Sequence, residues 1–229
     1  MIFDRFLVPI HREGWPFVAI FAGVTFVFAL MSTFLGFAGA ILTVWCYAFF
    51  RDPDRVTPIG SNWVVSPADG VVTAIEVVNV PEELELKEKS CTRISIFLSV
   101  FDVHINRVPC SGTIKKIWYY PGTFLNASLD KASELNERQA FKVVTEGGKE
   151  VGFVQIAGLI ARRIVSFVKE GDQLEAGQRF GLIRFGSRMD VYLPKGVVPL
   201  VIKGQKMVAG ETILADLTSK GDAREGQIR

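Results

Sequence analysis

Residues 15–50 contain no charged side chain. A single helix of that length would reach about 54 Å at 1.5 Å per residue, against a hydrocarbon core about 30 Å thick. One straight span is too long, so the pattern predicts a helical hairpin, with Met31-Ser32-Thr33-Phe34-Leu35-Gly36 as its turn region. Past Arg51-Asp52-Pro53-Asp54-Arg55 the pattern changes to short strands. Trp63-Val64-Val65 and Gly70-Val71-Val72-Thr73-Ala74-Ile75 flank a turn at Ser66-Pro67-Ala68-Asp69-Gly70. Arg93-Ile94-Ser95-Ile96-Phe97-Leu98 alternates and then turns apolar, as a buried strand does. Val151-Gly152-Phe153-Val154-Gln155-Ile156-Ala157 is a further strand. Residues 82–89 are a charged stretch, read as an exposed loop, and residues 126–138 mix helix-like and loop-like features.

An internal repeat follows. Val168-Lys169-Glu170-Gly171-Asp172-Gln173-Leu174-Glu175-Ala176-Gly177 matches Val201-Ile202-Lys203-Gly204-Gln205-Lys206-Met207-Val208-Ala209-Gly210, pairing Gly171 with Gly204, Ala176 with Ala209 and Gly177 with Gly210. Each unit reads as strand, glycine turn, short strand, glycine turn, strand. Two such units predict a mainly β body, a flattened barrel or sandwich with glycine-rich hairpin repeats, preceded by the hydrophobic helical hairpin.

Composition sharpens this picture in places. The chain is 49% hydrophobic with mean hydropathy +0.29, and much of the excess lies before Arg51. Arg5 and Arg12 precede the apolar stretch and Arg51 and Arg55 follow it, which puts both hairpin ends on the cytoplasmic side of the cell membrane. Trp15, Trp45 and Tyr47 suit the interfaces. A shallow entry into one leaflet satisfies the same pattern. A cleaved signal peptide does not, because the run is too long and Phe49-Phe50-Arg51-Asp52-Pro53 offers no small-residue cleavage site. The expected division is a membrane-associating helical segment, 1–55, and a β-rich domain, 56–229. A net charge of +2, from 26 basic and 24 acidic residues, leaves no nucleic-acid footprint but allows a local basic patch facing anionic lipid. Three cysteines, Cys46, Cys91 and Cys110, have no pair spacing and read as buried or free thiols. With only His11 and His104, a multi-histidine metal site is not expected.

Three segments carry candidate chemistry: the Ser66–Gly70 turn, Phe101-Asp102-Val103-His104-Ile105-Asn106-Arg107-Val108-Pro109, and Arg184-Phe185-Gly186-Ser187-Arg188-Met189-Asp190-Val191-Tyr192-Leu193-Pro194. Each is bland alone. Asp-Gly is a common turn, and Ser187 fails the nucleophile-elbow pattern because Met189 stands where a second glycine is needed. Together they offer a nucleophile, a base and an acidic orienter, provided the fold brings them together.

These three segments, in this order, resemble those of phosphatidylserine decarboxylase proenzymes of the short bacterial form. Phe49-Phe50-Arg51-Asp52-Pro53-Asp54-Arg55, Phe124-Leu125-Asn126-Ala127 and Asn136-Glu137-Arg138 are similar too, so the resemblance covers nearly the whole chain. It implies that the Ser187 hydroxyl attacks the carbonyl of Gly186, with His104 and Asp69 as base and orienter. The resulting ester eliminates, leaving chains 1–186 and 187–229 associated as a heterodimer. Residue 187 loses ammonia and becomes a covalent pyruvoyl group, so that neither a metal nor pyridoxal phosphate is required. The ketone forms a Schiff base with the amine of phosphatidylserine in the bilayer and acts as an electron sink while carbon dioxide leaves, giving phosphatidylethanolamine. Longer family members carry two histidines in the middle motif, separated by two residues. Here the second position is Arg107, which is a candidate to bind the substrate carboxylate or phosphate. A homo-oligomer is compatible with all of this.

Three other readings fit less well. A membrane-anchored barrel-sandwich adaptor without enzymatic activity would place a long helical hairpin between its half-motifs, and residues 185–200 leave no room for one. A lipoyl- or biotin-type carrier needs a lysine at an exposed hairpin tip, and Lys195 between Pro194 and Gly196 is a poor match. A serine hydrolase lacks its elbow.

Overall fold

The computed structural model describes residues 8–123, 135–158, 163–184, 187–219 and 224. The chain divides into two compact units, one of Met1–Asp54 with Phe101–His104, the other of Arg55–Val100 with Ile105–Arg229.

In the first unit the uncharged stretch forms two helices, α1 (Trp15–Met31) and α2 (Thr33–Phe49). Only Ser32 separates them, in extended conformation (φ −161°, ψ 135°). The hairpin turn thus falls inside the expected 31–36 region. Small residues let the helices approach closely: a Cβ on Gly36 would lie 2.8 Å from Ala29, and one on Gly39 would lie 2.8 Å from Thr25. Thr25 and Thr43 share a hydroxyl hydrogen bond of 2.9 Å between the helices. Apolar side chains also point outward, with Phe26, Leu30, Met31, Phe34 and Phe37 all exposed. Residues 12–31 form one helical stretch long and apolar enough to cross a membrane. At the open end of the hairpin, His11 N–H donates to Phe50 O and Asp52 N–H to Pro9 O, and Tyr47 Oη donates to Val8 O.

The second unit is mainly β. Its strands are β1 (Trp63–Val65), β2 (Gly70–Asn79), β3 (Ser90–Leu98), β4 (Ile105–Arg107), β5 (Gly112–Tyr120), β6 (Arg138–Val144), β7 (Glu150–Ala157), β8 (Ile164–Ser166), β9 (Gln173–Leu174), β10 (Arg179–Ile183), β11 (Ser187–Leu193), β12 (Lys206–Met207) and β13 (Ile213–Asp216). Among the described residues, eight of them form a curled sheet in the order β12-β2-β3-β11-β7-β6-β5-β9, while β4-β10-β8 and β1-β13 make smaller sheets.

The glycine repeat accounts for this symmetry. β9 and β12 are equivalent short strands of the two units, and they close opposite ends of the large sheet, on β5 at Gly112 and on β2 at Gly70. The equivalence extends to single bonds. Asp172 Oδ2 accepts from Lys169 N–H, and Gln205 Oε1 accepts from Ile202 N–H. Gly171 N–H donates to Ile114 O, and Gly204 N–H donates to Val72 O.

β11 lies in the middle of the sheet and is buried along its length. Met189, Val191 and Leu193 join the main core with Ile94, Ile96 and Leu98 of β3. There Phe141 and Phe153 stack at 5.0 Å, and Phe180 meets both edge-on. Tyr192 faces the other way, into a second cluster with Ala140, Val154 and Ile156. This second cluster changes the reading of residues 82–89. Glu82–Leu84 is a 3-10 turn that buries Leu84 on the outer face of the sheet. Arg138 pairs with Glu83 at 3.1 Å and Lys116 with Glu85 at 2.6 Å. The Lys116–Glu85 pair is solvated and the Arg138–Glu83 pair is half-buried, and the stretch covers an apolar stripe that would otherwise meet water.

Candidate active site

Ser187 is the first residue of β11, paired across to Leu98 of β3 and to Ala157 of β7. By strand alternation it faces the same side as Met189 and Val191. It is fully buried, and its Oγ has no hydrogen-bond partner among the described residues. A buried hydroxyl without a partner costs roughly 1–3 kcal/mol, and such exceptions concentrate where a group has chemical work to do. Gly186 and Phe185 lie outside the described residues.

The sheet register brings the Ser66–Gly70 turn to this same end. Val71 pairs with Phe97, which pairs with Arg188, so Gly70 stands level with Ser187 two strands away, about 10 Å across the ladder. Gly70 has φ +147°, and a Cβ there would fall 2.1 Å from Phe97 O, so no other residue fits. Asp69 is fastened at its side. Arg55 Nη2 approaches both carboxylate oxygens, at 3.1 and 2.8 Å, and Ala209 N–H donates to Oδ1 at 2.8 Å. Asp69 therefore ties its turn to the second glycine unit.

Arg107 was expected as a ligand for the substrate's anionic groups. Its Nη1 donates to Gly177 O at 2.8 Å, and its side chain fills the space where a Cβ on Gly210 would come within 2.8 Å of Cδ. The side chain thus meets both terminal glycines of the repeat, Gly177 through its guanidinium and Gly210 through its Cδ, a clamp holding the two halves together.

His104 sits in the first unit. Its Nδ1 lies 2.9 Å from Asp102 O. A carbonyl only accepts, so Nδ1 carries the hydrogen in that bond and Nε2 of the neutral ring is the basic nitrogen. The Phe49 ring lies over the imidazole at 4.1 Å. Burial is the main influence and lowers the His104 pKa to about 4. The Asp102 hydrogen bond and charge oppose the shift, and Arg51 adds to it.

Sequence reading missed two polar pairs around Ser187. Gln155 Nε2 donates to Asn106 Oδ1 at 2.8 Å, and Gln155 faces Met189 across the ladder, diagonal to Ser187. This buried amide pair is on the same sheet face as the serine. On the opposite face Arg188 and Asp190 form a buried ion pair, Nε to Oδ1 at 3.0 Å and Nη2 to Oδ2 at 3.1 Å. Both pairs sit beside motif residues, and an alternating strand with polar positions on both buried faces is the signal that would have found them. Among the described residues, no three His, Cys, Asp or Glu side chains form a metal-binding group.

A family model described as phosphatidylserine decarboxylase matches residues 42–215. The phosphatidylserine decarboxylase proenzyme of Paramagnetospirillum magneticum is 58% identical over 221 residues, covering 96% of this chain and 92% of that protein. The protein of that name from Cereibacter sphaeroides is 57% identical over 226 residues, 99% and 97% of the two chains. The one from Ruegeria pomeroyi is 56% identical over 214 residues, 93% and 98%. The β body with a serine heading its central strand is therefore the body of an enzyme, a carboxy-lyase. The chain belongs to the phosphatidylserine decarboxylase family.

Proposed function

We propose that this chain is the uncut precursor of an enzyme that decarboxylates phosphatidylserine to phosphatidylethanolamine, and that it makes its own pyruvoyl group from Ser187. The observation that carries this reading is the Ser187 hydroxyl, buried and without a hydrogen-bond partner among the described residues, at the start of a central strand. A nucleophile must keep its oxygen uncommitted.

In this reading the Ser187 Oγ bonds to the Gly186 carbonyl carbon as the peptide C–N bond breaks, and the hydroxyl proton passes to the freed amine. His104 is the base that relays that proton through Nε2. Burial keeps the imidazole neutral at physiological pH, so Nε2 carries a lone pair for that proton, although the same burial weakens it as a base. Asp69, held by Arg55 and the Ala209 amide at the same end of the sheet, is the acidic partner. Loss of the Ser187 Cα proton and cleavage of its Cβ–O bond release Gly186 as a carboxylate, and hydrolysis of the resulting enamine yields ammonia and the pyruvoyl group. That group supplies the electron sink for decarboxylation. His104 is also the first choice to return a proton to the product carbon. Arg107, whose Nη1 clamps the repeat at Gly177 O, is the candidate to bind the substrate carboxylate or phosphate as well.

Chains 1–186 and 187–229 stay together after the cut, because β11 remains laddered between β3 and β7. The apolar hairpin holds the enzyme at the cytoplasmic face of the cell membrane, where the lipid headgroup lies, so that enzyme and substrate share one layer. Denaturing gels with intact-mass spectrometry test the proposal. The expected result is a large fragment ending at Gly186 and a small one lacking a free α-amine. Ser187→Ala should abolish both cutting and decarboxylation. A Ser187→Ala chain that still releases carbon dioxide from phosphatidylserine would overturn the mechanism.

A further inference from the structure

The end of α2 meets the segment that carries His104. Phe49, the last residue of α2, is buried. Its ring centroid lies 4.1 Å from that of the His104 imidazole, with the planes inclined by 31°. Phe49 is itself held by aromatic neighbours, Phe50 edge-on at 5.1 Å and Trp45 at 5.9 Å, and Phe50 stacks on Phe17 of α1 at 5.3 Å. The two helices thus support the ring that faces the histidine. Arg51 adds a polar tie, Nη1 donating to Ala48 O at 2.7 Å and Nη2 to Phe101 O at 2.8 Å. One guanidinium therefore joins the last turn of α2 to residues 101–104.

We propose that Phe49 is a positioning residue for His104, so that the apolar hairpin is part of the catalytic machinery and not a detachable anchor. The inference rests on the reading of His104 as the proton-transfer residue. The physical reason is geometric. The hydrogen bond from Nδ1 to Asp102 O fixes one direction in the ring. The Phe49 ring, 4.1 Å away on its face, restrains the plane and so the direction in which Nε2 points. Phe49 also shields the imidazole from water, which keeps it neutral. The charged groups that act on it, Asp102 and Arg51, work in opposite directions, leaving burial as the main influence.

The chain has only two histidines, which makes the test direct. In a full-length His11→Gln, Ser187→Ala chain in lipid nanodiscs, His104 is the sole imidazole, and nitrogen NMR of labelled histidine reports its tautomer and titration. The parent should show the Nδ1–H tautomer and stay neutral down to about pH 4. Phe49→Ala should raise the titration midpoint by one pH unit or more and mix the tautomers, Phe49→Leu should mix the tautomers at a near-parent midpoint because it still excludes water, and Phe49→Tyr keeps the parent behaviour. Thermal melts check the fold. If Phe49→Ala does not fold, Phe49→Leu decides alone, because it keeps apolar bulk and removes the aromatic face. A parent-like tautomer in Phe49→Leu would overturn the proposal. With Ser187 restored, Phe49→Leu should lower kcat at least tenfold, change KM less than twofold and leave vesicle flotation unchanged. Unchanged kcat would also overturn it. Should the Ser187 chain neither cut nor decarboxylate, the functional reading falls while the titration still decides the Phe49 contact.

Discussion

A buried neutral histidine makes folding stability depend on pH in one direction. The His104 pKa falls from its ordinary value of 6.5 to about 4, so below pH 6.5 the unfolded chain takes up a proton that the folded chain refuses. Stability is complete above pH 6.5, declines as pH falls, and levels off below about 4. The shift corresponds to roughly 3 kcal/mol. Urea unfolding of the Ser187→Ala chain at pH 7 and at pH 4.5 should show most of that loss, and His104→Leu should remove this component. At Asp69 the same scale predicts a structural cost separate from chemistry. Replacing it by Ala strands the Arg55 guanidinium, which is only 13% exposed, and the Ala209 amide. A loss of about 3 kcal/mol is expected, measurable in the Ser187→Ala background where processing plays no part. Asp69→Asn should lose less, because its amide oxygen still accepts from Ala209.

Among the elements, glycines that share a positive φ differ in what surrounds them. Gly70 leads into β2 with Phe97 O 2.1 Å from where a Cβ would stand, whereas Gly204 has φ +88° and open space. Gly204→Ala should therefore cost only the left-handed backbone penalty, roughly 1–2 kcal/mol. Gly70→Ala should cost more than about 4 kcal/mol, because the clash is with a backbone oxygen of the adjacent strand. Chemical denaturation of both variants, again with Ser187→Ala, checks the ordering. If the two cost the same, backbone angle alone governs these turns and the close approach of β2 to β3 is not what demands glycine. The strand ladder also explains why the cut ends stay in place in the proposed reaction. Ser187 is held on both sides, by Leu98 and Ala157, so losing its covalent link to residue 186 leaves the strand paired.

For the molecule as a whole, the outward apolar faces of α1 and α2 predict lipid binding that one charge will weaken. Phe26 is 66% exposed near the middle of α1, and lysine at a bilayer centre costs about 2.5–3.5 kcal/mol. Phe26→Lys should reduce vesicle flotation by roughly fifty-fold or more, and removing residues 1–50 should reduce it further. Unchanged flotation in both would show that the hairpin does not bind lipid. The hairpin and the β body were legible in the sequence because each follows from local pattern: thirty-six successive uncharged residues, alternating strands, and glycines repeated at equal spacing. The three motifs were legible for the same reason, as short strings with their own character. Their surroundings were not. That Asp69 bonds Arg55 and Ala209, that Arg107 clamps two glycine turns, and that Phe49 faces His104 depend on residues 14 to 140 positions apart. The cover that residues 82–84 give the outer sheet face was hidden too, since a charged stretch conceals the one leucine that goes inside. Periodicity along a chain reports which face a residue occupies. Which partner meets it there is decided by how separate elements pack, and the chain alone carried no local signal of that choice.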